Sequence, residues 1–221
     1  MFKQIFEIFK SDSLYEQALL ECHEMLDIDL KMFNTSIDSL RYANTDDIDI
    51  YTMDKKINEF ERDVRRKVMT HLAIGGREDI GSGLILVSVV IDIERIGDYT
   101  KNIYDLSQSY TKKLDGGELE DQLKEVEHCT KELFIDTIDS FKNQDIDKAR
   151  SIMHTYKDKI SNQSDHILTE IVKSKYPDMD ANKATAISLY SRYLKRVAAH
   201  SKNLISSIVN PFERIGYGEN L

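Results

Sequence analysis

Proline occurs twice and glycine nine times in this chain, and long stretches contain neither. Few breakers favour long helices over strands, so an all-α fold is expected. Cysteine is equally scarce. Cys22 and Cys129 stand far apart with no CxxC spacing, which argues against a disulfide framework and for reduced thiols in an intracellular protein. Long apolar runs are missing too: the longest, Leu84 to Ile91, is far below the roughly 20 residues that span a bilayer and reads as a core segment. The N-terminal MFKQIFEIFK carries charges where a signal peptide needs an uninterrupted apolar run, so a cytoplasmic protein is expected. Positive charge is in deficit. A formal net charge of −9 disfavours nucleic acid, whose phosphates are held by clustered Lys and Arg, and suits cations or basic protein surfaces.

What the chain does have is helical periodicity. Apolar residues recur at helical spacing through six segments, roughly 14–43, 46–72, 78–110, 118–142, 145–175 and 181–209. The breaks between them have turn and cap chemistry: Ser11-Asp12-Ser13, Thr45-Asp46-Asp47, Gly75-Gly76 and Leu114-Asp115-Gly116-Gly117, with stops at Pro177 and Pro211. Ahead of the first helix, Phe2, Ile5, Phe6 and Phe9 form a short apolar stripe suited to core docking or to a weak membrane or partner contact.

The two halves repeat at a shift of 101 residues. Phe33 and Ser36-Ile37-Asp38-Ser39-Leu40 return as Phe134 and Thr137-Ile138-Asp139-Ser140-Phe141, and Tyr99-Thr100-Lys101-Asn102-Ile103 returns as His200-Ser201-Lys202-Asn203-Leu204. Asp47-Ile48-Asp49 returns nearby as Asp145-Ile146-Asp147. A whole three-helix unit is therefore duplicated. The expected organisation is an N-terminal amphipathic segment (1–13), a first three-helix repeat (14–115), a second (116–210) and a C-terminal tail (211–221), the repeats packing as a six-helix array.

Chemistry concentrates in the first repeat. Glu94, Asp98 and Asn102 follow each other in steps of four on the third helix, with Gly97 between the two carboxylates, where it allows a neighbouring helix or ligand to come close. On the second helix Asp54, Asn58 and Glu61 share one face beside the apolar stripe of Ile57, Phe60, Val64 and Val68. Antiparallel packing of these helices places two oxygen-bearing rows opposite each other. Carboxylates so gathered repel, and a cation resolves the repulsion. Oxygen ligation without Cys suits Mg, Mn or Fe, with Zn also compatible. Acidic residues four apart also decorate ordinary solvated helices, and a plain helical scaffold without metal is the alternative reading. A carboxylate-bridged metal enzyme ranks third: Glu125 and His128 form a single ExxH pair where a di-iron site needs two. No phosphate loop, nucleophile elbow or paired catalytic acids occur, so neither catalytic nor cofactor-binding residues are expected.

Glu94-Arg95-Ile96-Gly97-Asp98-Tyr99, with Asn102-Ile103 beyond, resembles the ERIGD(H/Y)xxNI signature of PhoU-type phosphate-uptake regulators, and Asp54-Lys-Lys-Ile-Asn58-Glu-Phe-Glu61 resembles that family's partner motif. The resemblance spans about the whole chain. It implies multinuclear iron or zinc clusters bound by E/DxxxD motif pairs, and a role without catalysis. It also implies repression of phosphate uptake and phosphate-starvation signalling through contacts with a phosphate transporter and a membrane sensor histidine kinase. A homodimer, peripheral to the inner face of the membrane, completes the family picture.

The second repeat departs from the pattern. At the 101-residue shift Glu94, Asp98 and Asn102 become Lys195, Ala199 and Asn203, and aligning Ile57 with Ile160 turns Asp54, Asn58 and Glu61 into Lys157, Ser161 and Ser164. Its carboxylates are gone, although Asp158 and Asp165 lie nearby in sequence. Metal is expected in the first repeat alone.

Overall fold

The computed structural model describes residues 13–44, 48–75, 80–153 and 155–218. Among them the chain forms seven α-helices and no strand: α1 (Leu14–Tyr42), α2 (Ile50–Gly75), α3 (Ile80–Ser109), α4 (Glu120–Asn143), α5 (Ile146–Ile152), α6 (Asn162–Val172) and α7 (Ala181–Val209). The cap chemistry in the sequence is used where described. Ser13 Oγ accepts from the Glu16 amide at 3.2 Å, Asp145 Oδ1 from Lys148 at 3.0 Å, and Asp180 Oδ1 from Lys183 at 2.9 Å. Gly117 turns the chain between the repeats with φ +56°, a conformation that favours glycine. The Thr45-Asp46-Asp47 cap, Gly76 and the Phe2 to Phe9 stripe lie outside the described residues.

One expected helix is broken. The segment expected as a single helix over 145–175 is divided into α5 and α6 by a π-helical stretch, Tyr156–Ser161. The repeat explains the position of the break. The offset between the halves rises from 98 residues at Asp145 to 103 at Ile160, so the second repeat carries extra residues there. Residues inserted into a helix whose two ends are held by packing break it, and the π-type stretch takes up part of the excess.

Helices α1, α2 and α3 pack together, α4 to α7 form the second bundle, and α3 lies against α7 at the seam between them. Because α3 is covered on both sides, Ile85, Leu86, Val89, Val90, Ile93 and Ile96 are all buried, which accounts for its nearly continuous apolar run. No described helix is long and apolar enough to cross a membrane.

Equivalent residues of the two repeats touch each other. The rings of Phe33 and Phe134 meet edge to face at 5.8 Å, and those of Tyr99 and His200 stack at 5.7 Å. A residue in contact with its own copy lies near the axis relating the copies, so the repeats are joined by a pseudo-twofold. Basic residues cross the seam reciprocally: Arg41 of α1 pairs with Glu120 at 2.7 Å and Glu127 at 3.0 Å, while its counterpart Lys142 of α4 pairs with Asp27 at 2.5 Å. His200 is thereby taken up in the seam, its Nδ1 lying 2.7 Å from Asp92 Oδ1, which also accepts from Asn203 at 2.8 Å.

Candidate metal centre

Packing of α2 on α3 brings the two acidic rows together. Lys101 Nζ donates to Asp54 Oδ1 at 2.8 Å and approaches Asp98 Oδ1 at 3.4 Å, tying one row to the other. Burial raises the Glu94 carboxyl above its ordinary value, and the charges of Asp98, Glu61 and Asp54 add to the effect while Arg95 opposes it. Four of the sequence-derived residues thus share one electrostatic neighbourhood. Asn58 borders them and donates from Nδ2 to the Asp54 carbonyl at 2.9 Å. Asn102 is half-buried and enters none of the hydrogen bonds or ion pairs that join the carboxylates among the described residues.

The group at the centre of this neighbourhood is Asp29 on α1, which the pairing of acidic rows did not single out. It is 0% exposed, and among the described residues neither carboxylate oxygen has a hydrogen-bond partner. Burial pushes its carboxyl well above the usual range, and the charges of Glu94, Asp54 and Asp98 push it further in the same direction. Gly97 makes the room. A Cβ there would stand 2.8 Å from Asp29 Oδ1 and 3.1 Å from the Ile57 Cδ1 methyl, so the glycine admits a neighbouring carboxylate. A signal for Asp29 existed in α1: Cys22, Leu26, Asp29, Phe33 and Ser36 follow helical spacing, and all are 0% exposed. An acid in the middle of a core stripe is an exception that needs a partner.

Cations of the chain hold the outer carboxylates. Arg95 lies 2.7 Å from Asp98 and 3.5 Å from Glu94, and Arg65 lies 2.8 Å from Glu61. Among the described residues no three carboxylate, imidazole or thiolate side chains stand close enough, as placed, to grip one ion. The donor set nevertheless fits a hard or borderline cation. Asp29 is an orphaned buried carboxylate, Gly97 leaves a cradle beside it, and Lys101 and Arg95 are long flexible side chains that a stronger cation can displace.

The second repeat lacks the carboxylates and the glycine of this arrangement, although Asn203 keeps the Asn102 position. Thr130 stands at the Asp29 position and Ala198 at the Gly97 position, both buried. Lys195 Nζ is bound to both oxygens of Asp165 at 2.7 and 2.6 Å, so Asp165 is engaged by the lysine that replaces Glu94. Ser164 is buried and donates to the Ser191 carbonyl at 3.0 Å. Lys157 is exposed, and the Asp158 side chain lies outside the described residues. The ExxH pair also dissolves: His128 faces Glu132 at 3.3 Å, while Glu125 accepts from Cys129 Sγ at 3.4 Å.

The pseudo-twofold pair of bundles matches a family model on both sides of the seam, the PhoU domain, over residues 22–106 and again over 123–208. The chain belongs to the PhoU family. Among PhoU relatives, the "phosphate-specific transport system accessory protein PhoU homolog" of Clostridium acetobutylicum is 23% identical over 211 residues, covering 92% of this chain and 88% of its own. The fold is that of PhoU from Pseudomonas aeruginosa, at a TM-score of 0.76 and 20% identity over 88% of this chain and 95% of that one. It is likewise that of the phosphate transport system regulatory protein PhoU from Streptococcus pneumoniae, at a TM-score of 0.73 and 18% identity over 94% and 98% of the respective chains.

Proposed function

We propose that this PhoU-family chain is a metal-binding, non-catalytic regulator of phosphate uptake and phosphate-starvation signalling. The observation that carries the metal reading is Asp29, a fully buried carboxylate with two unpartnered oxygens among like charges. Such a group is costly to keep ionised without a cation. Asp29, Asp54, Glu61, Glu94 and Asp98 would hold the ion, with Asn58 and Asn102 as neutral oxygen donors at the edge. Iron or zinc is favoured by family, and magnesium or manganese also suits the oxygen ligands. A bound metal would supply fixed positive charge that clamps α1, α2 and α3 at one point. This chain's own residues do the rest: Lys101 and Arg95 neutralise the outer carboxylates in the absence of metal and become free surface cations when displaced.

The name of the Clostridium relative supports placing the chain beside a phosphate transport system. Its partners would be the phosphate transporter and a sensor histidine kinase, contacted as a homodimer in the cytoplasm at the inner face of the membrane. A metal-free helical scaffold is the competing reading, favoured by the ion pairs that already occupy Asp54 and Asp98. Elemental analysis of the purified full-length chain separates the two. Iron or zinc in stoichiometric amount, retained through gel filtration and removed by a chelator, is expected. Only trace metal after purification from metal-replete cells would leave the scaffold.

A further inference from the structure

Two grooves flank the α3–α7 pair, one at each end, and the pseudo-twofold relates them. The first, about 610 Å³, is lined by polar residues including Tyr110, Lys112, Asp180, Asn182 and Thr185. The second, about 540 Å³, is lined chiefly by apolar residues, among them Ile146, Ile208, Pro211 and Phe212, with Arg150 and Glu213 also on its wall. At the 101-residue shift Gly81 corresponds to Asn182, Ile85 to Ala186 and Phe212 to Thr111. Two copies of one cleft have therefore diverged, and only one has become apolar. Phe212 on its rim is 41% exposed. An uncovered apolar cleft of this size calls for an apolar occupant.

The register of the helices says which one is at hand. Asp29 lies against Gly97, and Ser39 Oγ lies 2.8 Å from Ser107 Oγ, so α1 and α3 run parallel at a constant offset of 68. Ser13, where the described chain begins, is thus level with Gly81 on the wall of the apolar groove. On the other side of α1 the ring of His23 meets Phe141 at 5.9 Å and Asp27 meets Lys142, which sets α1, about ten residues beyond Ser13, beside the turn into α5 and Ile146. The twelve residues before Ser13 can reach about 18 Å as a helix, enough to lie along the groove. They carry Phe2, Ile5, Phe6 and Phe9 at the spacing of one helical face, flanked by Lys3 and Lys10, while Glu213 stands on the groove rim.

We propose that residues 2–9 of the same chain dock in this groove as an amphipathic helix, with Phe2, Ile5, Phe6 and Phe9 covering Ile146, Pro211 and Phe212. The docking is intramolecular and independent of the metal reading. The chain contains no tryptophan, so Phe6→Trp in the full-length protein gives a single indole reporter. Its emission is expected to be blue-shifted, several-fold less quenched by acrylamide than a free indole, and unchanged on dilution. Adding Phe212→Glu, or separately Val209→Glu, at the rim is expected to return emission and quenching to solvent values while the far-ultraviolet dichroism stays that of a folded chain. The proposal is overturned by solvent-like emission from Phe6→Trp alone, or by shielding that survives both rim changes. It is equally overturned by shielding lost on dilution, which would make a second copy the occupant, and by shielding that requires anionic vesicles, which would make it a membrane.

Discussion

The double change Glu94→Ala and Asp98→Ala is expected to abolish specific metal binding, whereas Lys195→Ala leaves the metal content intact. Two carboxylates of the first repeat disappear in the double variant, and unit charges about 4 Å apart interact by about 4 kcal/mol at an effective dielectric near 20. Even after desolvation takes back a large part of that, the affinity falls about 100-fold or more. Among the described residues Lys195 in the second repeat pairs with Asp165, whose side chain is exposed, so its loss changes little at the first repeat. Loss of fold does not account for the difference, because the double change removes repulsion around Asp29 and frees Lys101 to pair with Asp54 alone. Calorimetric titration with zinc, beside thermal melts of the same samples, checks the prediction. Parent-like zinc binding by the double variant, or loss of binding in Lys195→Ala, would contradict it.

Asp29→Asn separates the cost of the buried charge from its use. In metal-free protein at neutral pH the change should raise stability, by about 1–4 kcal/mol on the scale seen when buried ion pairs are replaced by well-packed neutral side chains. Asparagine keeps the shape and leaves an unpaired amide, so the gain reports the charge itself. The sign with pH follows from the raised native carboxyl. Below the ordinary carboxylate range Asp29 is protonated in both states and costs nothing as a charge. As pH rises from there the unfolded chain releases the proton first, so stability falls until the native group ionises too. Glu94, also raised chiefly by burial, acts in the same direction. Glu120 acts oppositely: burial raises it, but the bond from Arg41 and its neighbours bring it down to about 2, so its contribution is complete once the pH exceeds the ordinary carboxylate range. Urea melts of chelator-treated protein from pH 5 to 8 should therefore show stability declining in the parent and a shallower decline in Asp29→Asn. With metal present the order inverts, because the variant gives up a ligand. A variant less stable than the parent in chelator at neutral pH would remove Asp29 from the site.

The helices were legible because their signals are local. Ser13 caps where cap chemistry predicts, and α7 runs over Ala181–Val209 as its periodicity indicates. The break between α5 and α6 was not read from apolar spacing, which continues through Ile152, Ile160 and Ile167 on either side of the π-helical stretch. Only the change of repeat offset between Asp145 and Ile160 marks it. At the site, steps of four and three put Asp54 with Glu61 and Glu94 with Asp98 on shared helix faces, and the packing of α2 on α3 brings the four into one electrostatic neighbourhood. Asp29 escaped because it stands alone among apolar neighbours on a third helix, and its proximity to Gly97 is a tertiary fact. The roles of Lys101 and Arg95 escaped for a related reason: Lys101 falls on an unspecified position of the ERIGD(H/Y)xxNI pattern, and its reach to Asp54 across the helix pair is a tertiary fact.

If one repeat of the duplicated pair binds metal and the other does not, anomalous scattering from a crystal soaked in manganese or zinc separates the two repeats. A strong peak is expected among Asp29, Asp54, Glu61, Glu94 and Asp98, with Lys101 turned away and nothing at the pseudo-twofold position. A well-occupied metal beside Lys195 and Ala199, with the first repeat empty, would contradict it.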